Sequence, residues 1–198
     1  MAVYKFSNVS GFKNYQRYND FLAGNPAVQL DKGSMFPLGV FTLASTQTTA
    51  VTFTNIPQTY THLQLRVLTA IDTSARLGLG FNSDTTYSNY NLHYLYGNGS
   101  SVSSGYVASA NGIGIASGGS NYAAVIADIL DYRNTNKFKV TRSLSGQDRN
   151  GAGDMIMYST LWRSTNAITS LTLYPYESSG GSGTFAVNSS FALYGVLA

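Results

Sequence analysis

The chain has 198 residues, enough for one domain with a substantial hydrophobic core. Its formal net charge is +3 and only 11% of its residues are charged, against about 25% in an average soluble domain, so a basic nucleic-acid-binding surface is not indicated. The absence of cysteine excludes disulfides and thiolate metal sites, and no apolar run has the length of a signal-peptide core or a membrane span, which predicts a soluble chain made in the cytosol.

Residues 1–34 differ from the rest because they carry scattered aromatic and basic residues without a period of two. The spacing of Tyr15, Tyr18, Phe21 and Leu22 predicts a short helix that ends near Gly24. This segment is either an extended or partly helical arm that docks on a neighbouring subunit, or a segment that packs on its own domain. The candidate docking residues of the arm are Tyr4, Phe6, Phe12, Tyr15, Arg17, Tyr18 and Phe21.

Strand signals begin at Met35 and continue to the end of the chain. Pro37 lies near the start of the first apolar run, which predicts an edge strand. The strand at 77–81 has glycine at alternate positions, so we expect another backbone or side chain to press against its glycine face. The closing strand at 191–197 is apolar on both faces and is therefore expected inside a sheet.

The middle of the chain, residues 97–119, is rich in glycine and serine. Short strands are predicted at Tyr106–Val107 and at residues 113–115. The region is interpreted either as a mobile loop or as paired strands whose small side chains meet at a crowded interface.

Residues 122–151 read as a strand, a turn and a second strand. The first strand is apolar on both faces, which predicts burial between two layers. In the second, one face is predicted to be dry and the other wet and basic. A further turn is predicted at Asn150-Gly151. The dry face comprises Phe138, Val140 and Leu144, and the wet face comprises Lys137, Lys139, Thr141 and Ser143.

Roughly ten short strands separated by turn signals, without a long amphipathic helix, predict an all-β fold. The preferred architecture is an antiparallel β-sandwich, jelly-roll-like, formed by residues 35–198 and preceded by the arm at 1–34. An irregular barrel is the alternative.

Asp128 is the acidic residue best placed for chemistry, since it shares a strand face with Ile126 and Leu130. A partly buried carboxylate needs a partner, and Arg142 is the candidate for a core ion pair with it. A structural role is favoured over a catalytic one because no second acid, histidine or nucleophile is anchored to Asp128. His62 and His93 fall on separate strands and are not spaced as a metal pair.

Two other groups have a functional and a structural interpretation. The acidic loop with Asp148, Asn150 and Asp154 offers oxygen ligands to calcium, but the Asn150-Gly151 turn already accounts for it. The aromatic residues Tyr90, Tyr94, Tyr96 and Trp162 are either a sugar-stacking surface or part of the core, and the core is favoured. No catalytic, metal-binding or cofactor-binding residue is therefore predicted.

Several segments, taken together, resemble one known family. They are Lys13–Pro26 (KNYQRYNDFLAGNP), Thr52–Arg66 (TFTNIPQTYTHLQLR), Phe81–Gly99 (FNSDTTYSNYNLHYLYGNG), Ile126–Gly146 (IADILDYRNTNKFKVTRSLSG), Leu161–Leu173 (LWRSTNAITSLTL) and Phe191–Val196 (FALYGV). In this order they are similar to small β-sandwich structural proteins of tailed bacteriophages, many known only from environmental phage genomes.

This resemblance implies a non-enzymatic virion component, made in the cytoplasm of the host bacterium. We expect a capsid decoration or cement protein, a homo-oligomer and preferably a trimer, which docks on the major capsid protein through its arm and sheet faces. The alternative is a tail-fibre, neck or baseplate component bound to tail subunits, with a glycan-binding tip as one option. No cofactor, nucleic acid or membrane is expected as a partner. A hydrolase of host polysaccharide is the remaining hypothesis, and it depends on Asp128.

Overall fold

A computed structural model describes residues 35–44, 48–71, 75–116, 121–176 and 183–197. The expected arm at 1–34, with its short helix and all its candidate docking residues, lies outside the described residues.

Twelve strands and one short 3₁₀ turn, Tyr87–Asn89, are formed by the described residues. The strands are β1 Met35–Thr42, β2 Val51–Phe53, β3 His62–Thr69, β4 Ala75–Phe81, β5 Tyr90–Gly97, β6 Val102–Ala108, β7 Gly112–Ala116, β8 Ala123–Leu130, β9 Lys139–Asp148, β10 Gly153–Trp162, β11 Leu171–Tyr176 and β12 Ser190–Val196.

These strands form two antiparallel sheets that pack against each other, which confirms the predicted β-sandwich. The large sheet has eight strands in the order β1-β12-β3-β8-β9-β10-β5-β6. The small sheet has four, in the order β2-β11-β4-β7. The closing strand β12 lies between β1 and β3, as its apolar sequence predicted, and β1 with Pro37 lies at an edge. A register shift between Pro37 and Gly39 accommodates the proline.

The main core lies between the two sheets. The large sheet contributes alternate residues of β3, β8 and β12, and the small sheet contributes alternate residues of β2, β4 and β11. A second, smaller cluster under β5 and β10 is formed by Leu92, Ala110, Ile156 and Tyr158. Each fully buried aliphatic or aromatic side chain contributes about 1.5 to 3 kcal/mol to folding. Burial of these residues therefore determines which side of the large sheet faces the small sheet.

The glycine face predicted for β4 is covered by a side chain, as expected. A Cβ atom added to Gly78 would lie 2.8 Å from the Tyr174 ring, because this ring of β11 lies directly on the glycine. In the glycine-rich middle, Gly112–Ala116 forms β7, and a Cβ atom on Gly114 would lie 2.7 Å from Val125 Cγ2. For this stretch, the interpretation as paired strands at a crowded interface is correct.

The predicted faces of β8 and β9 need correction. Ile126 and Leu130 are exposed, so β8 is not buried on both faces. In β9 the orientation is opposite to the prediction, since Lys139, Thr141 and Ser143 are buried whereas Leu144 is 48% exposed. Beside β7 the sheets lie so close that only small side chains of β9 fit, since a Cβ atom on Gly114 would lie 3.2 Å from Ser145 Oγ.

Lys139 is buried although it was expected on a wet face. Its ammonium donates hydrogen bonds to the carbonyl oxygens of Asn134 (2.6 Å), Lys137 (3.1 Å) and Thr165 (3.0 Å). Burial lowers the pKa of Lys139, and the nearby Lys137 lowers it further. The lysine therefore ties the β8–β9 connection to the segment that follows β10.

Candidate functional site

The candidate site is the side of the large sheet that faces away from the small sheet, here called the outer face. Side chains alternate across each strand, so the odd-numbered residues of β8 point into the core and the even-numbered ones point outward. In β10 the outward residues are odd-numbered, from Met155 to Leu161. The strand register then places outward residues of neighbouring strands side by side.

Four apolar side chains form a continuous line across the outer face, here called the apolar row. Cross-strand pairing joins Ile126 of β8 to Leu144 of β9, Leu144 to Met157 of β10, and Met157 to Leu95 of β5. Their exposed fractions lie between 48% and 54%. Large apolar side chains that are half exposed at four adjacent positions are unusual in the surface of an isolated soluble domain.

A groove of about 670 Å³ adjoins the apolar row at one end of the sheet. Leu144, Met157 and Leu95 line it together with Met155 and Val102. Met155 is 60% exposed and Val102 is 77% exposed. Two hairpin connections close its end, one between β9 and β10 and one between β5 and β6. Unbranched methionine side chains adapt their shape to a partner, which suits a surface for protein contacts.

A second line of cross-strand partners lies next to the apolar row, here called the polar row, and contains the predicted ion-pair residues. Its members are Gln64, Asp128, Arg142, Ser159, His93 and Tyr106. Arg66 Nε donates to Gln64 Oε1 at 3.0 Å, and Gln64 Nε2 donates to Asp128 Oδ1 at 2.8 Å. The guanidinium of Arg66 also lies 5.3 Å from the centre of the Tyr194 ring, a cation–π contact. The Arg66 and Gln64 side chains therefore hold the Asp128 carboxylate in place.

The predicted core ion pair is not formed. Asp128 and Arg142 are cross-strand partners and lie on the same face, as the sequence suggested. That face is the outer one, however, where Asp128 is half-buried and Arg142 is exposed. No salt bridge connects the two side chains, and Arg142 makes none with any other described residue. An exposed cross-strand position leaves a long arginine side chain free to extend into solvent.

The aromatic residues proposed as a sugar-stacking surface point to the other side of the sheet. Tyr90 and Trp162 are buried in the core, where their rings stack at 6.3 Å. Burial raises the pKa of Tyr90, whose hydroxyl donates to the Asp84 carbonyl at 3.0 Å. Tyr94 is half-buried and packs its ring against Gly105 and Tyr158. The interpretation as core is correct for Tyr90 and Trp162.

Asp84 organises this buried aromatic group, although its sequence context gave no indication of it. Its carboxylate accepts hydrogen bonds from Trp162 Nε1 (2.8 Å), Asn89 Nδ2 (2.9 Å) and the Thr86 backbone N–H (3.0 Å). Burial by itself raises the pKa of Asp84, but the hydrogen bonds from Trp162, Asn89 and Thr86 outweigh it, so the pKa is lowered. Because its carboxylate is hydrogen-bonded to these three donors, Asp84 has a structural role.

The acidic loop forms a turn, and its carboxylates do not converge. Asp148 and Asp154 project from opposite faces of the sheet. Asp148 Oδ1 accepts the backbone N–H of Asn150 at 2.9 Å. Asn150 and Gly151 have φ values of 53° and 100°, as a two-residue hairpin turn requires. The Asn150-Gly151 turn is therefore confirmed.

Asp154 is occupied by hydrogen-bond donors from three side chains. The Tyr96 hydroxyl donates to its Oδ1, and Gln147 Nε2 (3.0 Å) and Arg149 Nη2 (2.9 Å) donate to its Oδ2. Burial raises the pKa of Asp154, but its hydrogen bonds with Tyr96 and Gln147 and the Arg149 charge lower it overall. The same hydrogen bond to Asp154 raises the pKa of Tyr96. A carboxylate saturated in this way is not poised to bind a cation.

The two histidines lie on the outer face on well-separated strands. His62 Nδ1 accepts the backbone N–H of Asp131 at 2.9 Å, and the His93 ring lies 4.9 Å from the Tyr106 ring. In the part of the chain that the structure describes, no group of three or more histidine or acidic side chains is arranged to hold a metal ion. None of the helices found there has the length and apolarity of a membrane span.

The apolar row was missed because the outward residues of β9 were assigned to the covered face, and because β5, which pairs with β10, is distant from it in sequence. The available signal was the alternation from Phe138, just before β9, to Leu144: these two residues are in phase on one side and small polar residues lie on the other. That alternation indicates two faces but does not say which one is covered.

Comparison of the chain with protein-family models, with curated proteins and with solved structures gives no match.

Proposed function

We propose that this protein is a non-enzymatic structural component of a tailed-phage virion, most specifically a capsid decoration or cement protein. It docks on the major capsid protein through its N-terminal arm and its sheet faces. The segment-by-segment resemblance described above motivates the phage assignment.

The observation that carries this proposal is the apolar row on the outer face. Structural proteins of an assembly gain stability from their neighbours, and such proteins present apolar surface that the isolated subunit leaves exposed. Ile126, Leu144, Met157 and Leu95 provide such a surface on a rigid sheet. The low content of charged residues, 11%, reduces the electrostatic cost of covering it.

The absence of enzymatic activity is part of the proposal. Acid–base catalysis needs titratable groups that converge on a substrate. Asp128 is held by Gln64 and has no second acid or histidine beside it in the cross-strand positions of β3 and β9, which are Gln64 and Arg142. A polysaccharide hydrolase that depends on Asp128 would lose its activity in an Asp128→Asn variant.

Quantitative mass spectrometry of purified virions tests the proposal. We expect this chain in mature particles, at a copy number near that of the capsid hexamers or threefold positions. Absence of the chain from mature particles would contradict a virion role altogether. A copy number far below that of the capsid positions would instead support the alternative, a tail-fibre, neck or baseplate component bound to tail subunits.

A glycan-binding tip built from Tyr90, Tyr94, Tyr96 and Trp162 has less support, because Tyr90 and Trp162 are buried, Tyr94 is half-buried and the Tyr96 hydroxyl donates to Asp154. Sugar stacking needs an aromatic ring that is open to solvent on one side. On the outer face Tyr106 is 55% exposed, but it packs against His93 and belongs to the polar row.

A further inference from the structure

The outer face is large enough to form a stable protein interface. Six of its strands, β3, β8, β9, β10, β5 and β6, are aligned in four rows of outward side chains. With strands about 4.8 Å apart and outward residues about 6.7 Å apart along each strand, the area is about 800 Å². A stable interface buries about 800 Å² per partner, so this face alone meets the requirement.

The chemistry of the face favours contact with a like surface. Its centre is the apolar row, which is extended by Leu68, Met155 and Val102 in the next row. Across the four rows the charged residues are Arg66, Asp128 and Arg142. Two nearly neutral faces can approach each other without strong repulsion, whereas a highly charged partner would find little to pair with.

The charges that are present are self-complementary. Arg142 and Asp128 lie side by side but make no ion pair within one chain. A second copy rotated onto the face can place its Asp128 carboxylate near the Arg142 guanidinium, and the reverse pair then forms by symmetry. Arginine suits such a bidentate contact with a carboxylate.

We propose that the outer face of the large sheet is buried against a second copy of this chain, with the apolar row at the centre of the interface. The proposal deepens the structural role proposed above and rests on it for its biological meaning. Its test uses purified protein, so its failure is distinguishable from absence of the chain in virions. It concerns two copies related by a two-fold axis, because only a two-fold contact forms the Asp128–Arg142 pair twice.

The experiment is sedimentation analysis of the full chain over a concentration series. We expect the wild type to have at least twice the mass of one chain, which is 21.3 kDa. A Leu144→Glu variant places a charge at the centre of the interface, where association should weaken by about 100-fold and leave a monomer. The matched control is Thr52→Glu, which adds the same charge at an exposed position of the small sheet and should leave the mass unchanged.

Circular dichroism verifies that each variant is folded, and Met157→Glu replaces Leu144→Glu if the latter fails to fold. A wild type that is monomeric throughout the series would overturn the proposal, as would an oligomer that Leu144→Glu leaves intact. If the full chain is monomeric but a chain lacking residues 1–34 associates, then the N-terminal segment covers the face instead, and the proposal is likewise overturned.

Discussion

Asp84 shows how one residue links distant parts of this fold. It lies just after β4, yet its carboxylate binds Trp162 at the end of β10 and Asn89 before β5. Thr86 and Asn89 belong to the same β4–β5 connection as Asp84, whereas Trp162 reaches the carboxylate only in the folded chain. Because an ionised carboxylate accepts each of these hydrogen bonds more strongly than a neutral one, the charged form is tied to the folded state.

We predict that Asp84→Asn lowers the free energy of unfolding by about 1 to 3 kcal/mol at neutral pH, because an amide replaces one acceptor oxygen by a donor. The pKa of Asp84 is lowered in the folded state, so its contribution is present above the unfolded value of 3.8 and is lost as the pH falls through the folded value below it. The difference between wild type and variant should therefore shrink on acidification below that value.

Urea denaturation across the acidic range measures this difference. Asp148→Asn is the control, since an amide oxygen can still accept the Asn150 N–H, and its effect should be small at every pH. An Asp84→Asn deficit that persists unchanged in acid would show that the carboxylate charge has no part in stabilising the group.

At the residue scale the sequence predicted local chemistry well and distant partners poorly. Asn150-Gly151 was recognised as a turn because adjacent residues determine a turn. Asp84 was not recognised, because its bond to Trp162 spans 78 residues of sequence. Asp128 and Arg142 were correctly placed at opposed positions of two neighbouring strands. Their exposure to solvent, however, depends on which face the small sheet covers.

At the scale of elements, β9 is the strand whose orientation contradicts its hydrophobic pattern. Its small polar side chains Ser143 and Ser145 are buried. The backbone of β7 approaches so closely that a Cβ atom on Gly114 would lie 3.2 Å from Ser145 Oγ. Larger inward residues beside β7 would separate the sheets, so the apolar residues of this part of β9 occupy the outer face instead.

We predict that Gly114→Ala lowers the free energy of unfolding by about 1 to 3 kcal/mol, because the added methyl group would lie 2.7 Å from Val125 Cγ2 in a closely packed core. Gly97→Ala is the control, since its methyl group would meet only the Ser101 carbonyl, at 3.9 Å. Denaturant unfolding of both variants measures the difference. Equal stabilities would mean that β7 is not pressed against β8.

The existence of most strands was predictable, because alternating apolar residues and turn signals are local properties. The position of β12 inside the sheet and of β1 at its edge also followed from composition and Pro37. The face assignment of β9 did not follow, because it depends on the contact with β7, which is a distant element.

At the scale of the whole molecule, the unequal sheets explain why so much apolar surface remains outside. Four strands cover one side of an eight-stranded sheet, and no described element covers the other side. The outer face emerges only when β8, β9, β10 and β5 are placed in register, which no single segment of sequence reveals. We propose that a buried interface in an assembly accounts for this surface.

Cryo-electron microscopy of the intact particle tests this interpretation most directly. We predict density for the two-sheet sandwich in the virion, with Leu144, Met157 and the rest of the apolar row in contact with a neighbouring subunit. A particle in which the sandwich is absent, or in which the outer face of the large sheet is open to solvent, would contradict it.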